Sequence, residues 1–306
     1  MKQNYAADFA GNERLEIIMK KQIEQTEKSK IAESFTTKQM LISIAGGICI
    51  LLLAQNATLL LGTFAVSCGI PPAVGNVLAG LLYAFFTWKG ACLFLRKIVK
   101  QQPEQFYIPK FSISAKWGLL AFAMPLLVLG MAMIAGGHWE IQYENFEMMP
   151  ELLTGGIFFF GIGGGISEEL VFRGVIMGSL EQRFSKKTAV ILPSVLFGAL
   201  HLIGTSMDFF SVIQLLAAGS IVGILFSVIV CKTGSVWNSA CVHGIWNAVV
   251  IGGILSIGNP PDGNVIFQWI MDSDQALLTG GDFGIEASIL SVVTYLIFTW
   301  IALKQK

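Results

Sequence analysis

Charged residues are scarce in this 306-residue sequence, at 13% of the total, whereas hydrophobic residues make up 54%. The 20 basic and 20 acidic residues cancel, so no surplus of positive charge points to nucleic acid as a partner. A water-soluble core of this size rarely needs such a composition, but a chain surrounded by lipid does. We therefore expect an integral membrane protein whose main partner is the lipid bilayer.

Several other features are missing from the sequence. The five cysteines form no CxxC pair and lie in or beside apolar runs, so we interpret them as small core residues. The first 39 residues are charged and hold no apolar run of the signal-peptide type, so we expect no cleaved leader there. No internal repeat or linker divides the chain into mirrored halves, and this disfavours a transporter built from inverted repeats.

Apolar stretches long enough to cross a bilayer, which takes about 20 residues per helix, recur along the chain. We predict an all-α, polytopic fold of about eight transmembrane helices, near 40–66, 73–95, 117–136, 153–180, 187–203, 210–231, 235–256 and 287–303. With both termini in the cytoplasm, the predicted outer loops hold no Lys or Arg and only acidic charges, as the positive-inside rule requires.

The predicted helices suggest four parts of the chain. They are a cytoplasmic arm over 1–39, three transmembrane helices over 40–136, a core over 150–255, and an outer loop with the final helix over 256–306. The outer loop, 257–286, is the longest segment for which we predict no structure. It either covers a site from the outside or merely connects two helices.

Ionisable residues inside the predicted fourth helix are the main functional signal, because a charge in lipid is costly unless it is paired or faces a polar cavity. Glu169 and Arg173 are four residues apart and face each other, so we expect them to form a structural pair. Glu168 points about 100° away and has no partner on its own helix. This makes Glu168 the candidate general base. The nearby Gly161, Gly163, Gly164 and Gly165 lack the residues of a phosphate loop and predict close helix packing.

Two further helices carry polar groups at matching positions. His201 lies in the fifth predicted helix, and His243 and Asn247 lie four residues apart on one face of the seventh. Counted from the basic end of each helix, Glu168, His201 and Asn247 have similar depths, roughly 21 to 23 Å at the helical rise. A single histidine of this kind is often only a packing residue. His243 lies one turn nearer the cytoplasm. Because both histidines lie close to an unpaired glutamate, we predict that these residues form one site.

The motifs Glu-Glu-x-x-x-Arg, Phe-x-x-x-His and His-x-x-x-Asn follow in this order on the fourth, fifth and seventh predicted helices. They resemble the CPBP family of CAAX-protease and bacteriocin-processing membrane proteins, which includes the Rce1-like proteases. The resemblance implies an intramembrane endopeptidase, located in the cell membrane of a prokaryote or the endoplasmic reticulum of a eukaryote. Its substrate would be a membrane-delivered peptide or lipidated protein, of prenylated CAAX type or bacteriocin type.

The resemblance also implies residue roles. Glu168 and His201 would activate water, while His243 and Asn247 would stabilise the oxyanion; Glu169 and Arg173 would support the helix that carries the base. The family is described as metallopeptidases, and Glu168, His201 and His243 are chemically suitable zinc ligands. No HExxH motif is present, and single ligands on three helices do not favour a metal. We expect a mechanism that requires no cofactor, with zinc as the alternative.

Two other functions remain open at the level of the sequence. A non-proteolytic protein of the same fold, acting in bacteriocin self-immunity or partner binding, would keep the fold but lose hydrolysis. An ion-coupled transporter would use the buried Glu and His residues to relay protons or bind cations. Cleavage assays would separate the first from a protease, and flux assays in liposomes would test the second.

Overall fold

The computed structural model describes residues 35–141, 143–258, 265 and 267–305. The arm predicted over 1–39 therefore lies outside the described residues up to residue 34, as do 259–264 and 266 of the outer loop. The main helices of the described part are α1 (Thr37–Ser67), α2 (Pro72–Phe94), α3 (Ala115–Ala135), α4 (Met149–Glu181), α5 (Lys186–Leu200), α6 (Phe209–Thr233), α7 (Val236–Trp246) and α8 (Ile289–Lys304).

Polar residues at the expected positions start several of these helices. At α1, the Thr36 hydroxyl accepts from the Gln39 amide and the Gln39 side chain accepts from the Thr36 amide, which is a capping box. At α6, the Asp208 carboxylate accepts from the backbone N–H of Ser211 at 2.8 Å. These contacts satisfy N–H groups that a helix leaves unpaired in its first turn.

Among the described residues, five helices are long and apolar enough to cross a membrane: α1, α2 with its continuation to Val99, α3, α4 and α6. Helix α8 is apolar but shorter, with 16 residues. Each of the eight predicted apolar stretches contains a helix in the described residues. The count of eight membrane crossings and the cytoplasmic location of both termini remain predictions.

The fifth helix ends earlier than the sequence predicts. We expected it over 187–203, but α5 stops at Leu200 and His201 lies in the turn that follows. A turn follows the helix: the His201 N–H donates to the Gly198 carbonyl, three residues earlier, at 3.3 Å. Gly204 then adopts a positive φ of +81°. His201 therefore lies just beyond the end of α5 and not on the side of a helix.

The loops that we predict to lie outside the membrane contain a small β-sheet, so the prediction of an all-α fold is wrong for them. Strand β1 (Gly137–Ile141) pairs antiparallel with β3 (Phe267–Met271), and β2 (Leu255–Gly258) pairs parallel with β3. The expectation that 257–286 has no structure is therefore wrong for its described residues, which also include a helical turn at Ala276–Thr279. The partners are about 130 residues apart in β1 and β3, so local sequence patterns do not reveal the pairing.

Helices α4 and α7 approach each other closely at glycine residues. A Cβ atom at Gly165 would lie 2.6 Å from the Cα of Gly244, closer than carbon atoms pack. The close packing predicted from the glycine run of α4 is confirmed at this position. Wider π-helical turns interrupt α4 at Gly155–Gly164 and Leu170–Ile176 and extend α7 over Asn247–Ile251. Such turns are common at functional sites.

Candidate active site

A cavity of about 390 Å³ lies among the helices, a volume typical of ligand sites. Its walls include Glu168 from α4, His201 from the end of α5, His243 from α7, and Asn247 from the π turn that extends α7. The structure therefore brings the four residues predicted as catalytic to one place. The other two predicted residues, Glu169 and Arg173, are fully buried beside this cavity.

Glu169 is the centre of a buried polar cluster. Its Oε1 accepts from Arg173 Nη1 at 2.7 Å and lies 3.0 Å from His243 Nδ1, and its Oε2 accepts from the Ser239 hydroxyl at 2.6 Å. The pairing of Glu169 with Arg173 follows from the i, i+4 spacing. The contacts with Ser239 and His243 were not predicted, because they come from another helix. Glu169 thus joins α4 to α7 as well as neutralising Arg173.

Arg173 lies within an aromatic cage. Its guanidinium donates from Nη2 to the Gly223 carbonyl at 3.2 Å, and its Cζ atom lies 4.6 Å from the ring centre of Phe197 and 5.2 Å from that of Phe226. Phe226 also stacks on the imidazole of His243, with centroids 4.6 Å apart. A cation over aromatic faces is attracted by their π electrons. The cage therefore holds both the arginine and the histidine ring.

Glu168 differs from its neighbour in exposure. A quarter of its side chain (25%) is accessible, and its Oε2 lies 3.7 Å from His243 Nε2. This distance is too long for a hydrogen bond but leaves the two groups facing each other across the cavity. As predicted from helical geometry, Glu168 has no partner on α4; the group that it faces comes from α7.

His201 and Asn247 each use part of their hydrogen-bonding capacity on the backbone. His201 Nδ1 lies 2.7 Å from the carbonyl oxygen of Phe197, which can only accept, so Nδ1 carries the proton. Asn247 Nδ2 donates to the carbonyl of Phe160 at 3.2 Å, and its Oδ1 is buried with no partner among the described residues. Both side chains keep an unused polar atom for a cavity ligand.

The cavity also contains residues that the sequence analysis did not select. They include Tyr83 of α2, Trp246 of α7, Tyr295 of α8, and Glu286, which lies just before α8. Burial raises the pKa of the Glu286 carboxyl above its usual value, although the nearby charge of His201 acts to lower it. The sequence gives one signal for Glu286: its carboxylate directly precedes an apolar stretch. We predicted that this carboxylate lies in the solvated outer loop.

A zinc ion does not fit the arrangement of the described residues. No three or more His, Cys, Asp and Glu side chains in that part of the chain are placed to hold a metal ion together. His243 Nδ1 is engaged with Glu169 and His201 Nδ1 with a backbone carbonyl, so only the Nε2 atoms of these two rings could meet a ligand in the cavity. We therefore derive no chemical step through a metal.

The segment that carries these four cavity residues is similar to a known protein family. Residues 150–249 match the family model described as Type II CAAX prenyl endopeptidase Rce1-like. These residues form an Rce1-like domain. The resemblance drawn from the three motifs is thereby confirmed, and the matched segment includes Glu168, His201, His243 and Asn247 but not Glu286. No curated protein and no solved structure matches the chain. With five apolar helices of sufficient length among its described residues, the protein is an integral membrane protein.

Proposed function

We propose that this Rce1-like protein is an intramembrane endopeptidase that hydrolyses a membrane-delivered peptide, of the CAAX prenyl type named by its family, by means of a water molecule activated in the cavity. The observation that carries the proposal is the meeting of Glu168, His201, His243 and Asn247 on the walls of that one cavity. It offers a base, two imidazoles and an amide, which are the groups that amide hydrolysis needs.

Glu168, rather than Glu169, is the general base of this mechanism. Glu169 is fully buried, and Arg173, Ser239 and His243 already engage its two oxygens. Glu168 has an accessible carboxylate that faces the cavity. It takes a proton from water as the water oxygen attacks the scissile carbonyl carbon, and it passes this proton to the amide nitrogen when the C–N bond breaks. His201 positions the same water through Nε2, the nitrogen that its bond to Phe197 leaves free.

His243 and Asn247 act on the carbonyl oxygen of the substrate. Because Glu169 is an acceptor, His243 carries a proton on Nδ1, so the neutral ring has an unprotonated Nε2. His243 therefore donates to the oxyanion as the protonated imidazole, which the Glu169 carboxylate stabilises. The Asn247 amide has a second N–H beyond the one bonded to Phe160, and this N–H is available to the same oxygen.

Peptide cleavage by purified protein in liposomes tests the proposal. We expect wild type to cut a prenylated CAAX peptide, and Glu168→Gln, His201→Ala and Asn247→Ala each to lower kcat/KM by about 100-fold or more. Glu147→Gln is the matched control, because Glu147 is an exposed carboxylate of the outer segment that does not line the cavity. Unchanged cleavage by Glu168→Gln would exclude the mechanism.

Two further arms separate the remaining alternatives. Activity lost with a chelator and restored by zinc would favour the metallopeptidase version over a metal-free reaction. Absence of cleavage of CAAX-type and bacteriocin-type peptides by wild type, together with saturable binding of such peptides, would favour the non-proteolytic function. We expect cleavage that a chelator does not abolish.

A further inference from the structure

The glycines of the run in α4 differ in what surrounds them. A Cβ at Gly163 would lie 3.1 Å from the carbonyl oxygen of Gly80 on α2, and a Cβ at Gly165 would lie 2.6 Å from the Cα of Gly244. Such glycines let helices approach closely. Gly164 lines the cavity, and of the three atoms nearest to a Cβ there, none belongs to the backbone of another helix. Helix packing therefore does not account for Gly164.

A Cβ at Gly164 would instead meet two side chains of the site. It would lie 3.6 Å from Asn247 Nδ2 and 3.8 Å from Glu168 Oε1. Both distances are ordinary van der Waals contacts, so one methyl group would fit here without moving the helices. They are also only slightly longer than hydrogen bonds. The space above Gly164 is therefore a place from which one small polar group reaches both the base and the amide.

The arrangement of α4 against α7 explains why this space is open. Phe160, Gly164 and Glu168 follow one another at intervals of four residues and form a row on α4. At one end of the row, the Phe160 carbonyl accepts from Asn247 Nδ2 at 3.2 Å. At the other end, Glu168 Oε2 lies 3.7 Å from His243 Nε2. Because Gly164 in the middle has no side chain, a gap remains between these two contacts.

The proposed reaction needs the substrate in this gap. The water that Glu168 deprotonates attacks the scissile carbonyl carbon while Asn247 binds the carbonyl oxygen, so the scissile amide must lie between these two side chains. An amide is planar, and its atoms can lie close to the α4 backbone only where no side chain stands in the way. Gly164 is the residue of the row that meets this requirement.

We infer that Gly164 is a specificity-determining residue of this site: the absence of a side chain there leaves the space in which the scissile amide of a peptide lies between Glu168 and Asn247. The inference rests on the proposed peptidase function for the identity of the ligand. It separates Gly164 from its neighbours Gly163 and Gly165, whose missing side chains serve the packing of helices.

Cleavage by Gly164→Ala tests the inference with a single methyl group. We expect kcat/KM for a prenylated CAAX peptide to fall by at least about 30-fold, because the methyl displaces the scissile amide from the base and the oxyanion donors. Gly118→Ala on α3 is the control, since a Cβ at Gly118 has no atom within 4 Å, and it should cleave as wild type does. Equal kcat/KM values for Gly164→Ala and wild type would overturn the inference.

Thermal unfolding separates this role from a structural one. A Cβ at Gly164 meets no atom closer than 3.6 Å, and alanine favours helix over glycine, so Gly164→Ala should melt at or above the wild-type temperature while it loses cleavage. Gly165→Ala, whose Cβ would meet the backbone of Gly244, should lose stability and cleavage together. If Gly164→Ala also melts at a lower temperature than wild type, Gly164 serves helix packing and the inference is wrong.

Peptide binding distinguishes failure of this inference from failure of the proposed function. The probe is a fluorescent prenylated CAAX peptide, titrated into Glu168→Gln protein, which lacks the base. In this background we expect Gly164→Ala to raise Kd by at least about tenfold, the effect of overpacking a fitted site. If wild type cleaves the peptide but Gly164→Ala changes neither kcat/KM nor Kd, only the inference fails. If wild type cleaves nothing while Gly164→Ala raises Kd, the peptidase proposal fails and the fit at Gly164 stands.

Discussion

Helices α1 and α6 are both long and apolar, yet they are embedded in the molecule to different degrees. In the most apolar part of α1, 17% of the residues are buried inside the protein, compared with 50% in α6. Large apolar side chains on α1 and α3 point outward, and Leu60 and Leu119 are more than 70% exposed. In a bilayer these surfaces contact lipid, which is as apolar as the side chains themselves.

The helices from α4 to α7 associate through different interactions. Between them lie a fully buried arginine, a buried glutamate and two histidines, and two of these helices meet at the glycine pair Gly165 and Gly244. Without a hydrophobic driving force in lipid, small-residue packing and polar contacts hold helices together. The comparison suggests that the N-terminal helices tolerate substitution, whereas the site helices depend on a few specific contacts.

The buried ion pair should show the largest effect. Arg173→Met would leave Glu169 as an uncompensated buried charge beside His243, and we expect a loss of about 3–5 kcal/mol in the free energy of unfolding. Thermal unfolding in detergent measures it. The double variant Arg173→Met with Glu169→Gln should recover part of the loss. Lys89→Met on α2, an exposed cation, is the control from the N-terminal helices. Similar losses for Lys89→Met and Arg173→Met would remove the contrast between the two regions.

A matched pair of glycines gives the next largest effect. A Cβ at Gly165 would meet the backbone of Gly244, whereas a Cβ at Gly118 on α3 has no atom within 4 Å. We expect Gly165→Ala to destabilise the protein by about 1–3 kcal/mol and to reduce cleavage, because α4 and α7 must separate. Gly118→Ala should be neutral or stabilising by up to about 1 kcal/mol, since alanine favours helix. Chemical unfolding of both variants, with cleavage rates, tests the contrast; equal destabilisation would refute it.

Much of this arrangement could be predicted from residue spacing. The apolar stretches contain the helices, the four-residue spacing of Glu169 and Arg173 gives their contact, and the one-face placement of His243 and Asn247 brings both to the cavity. These features depend on the period of a single helix, which the sequence contains directly. The catalytic roles of the four cavity residues stay predictions until cleavage is measured.

Other features could not be predicted, because they depend on contacts between distant segments. The bonds from Ser239 and His243 to Glu169 need the packing of α7 on α4. The small sheet joins β1 to β3, whose residues are about 130 positions apart in the sequence. Glu286 was assigned to a solvated loop, since a carboxylate between helices usually faces water. Only the folding of its segment over His201 makes it a cavity residue.

The smallest expected effect concerns pH and again separates the site from the rest of the molecule. Burial raises the pKa of Glu286, so the folded protein keeps a proton there at pH values where the unfolded chain has lost it. Above the ordinary carboxyl value, about 4.3, ionisation of this residue therefore lowers stability progressively, until the pH exceeds its raised value. Glu286→Gln removes the ionisation. Its melting temperature should equal that of wild type near pH 4 and exceed it near pH 7. The exposed Glu104→Gln, beside the N-terminal helices, is the control. A Glu286→Gln variant less stable than wild type at pH 7 would show that the carboxyl serves the fold rather than the site.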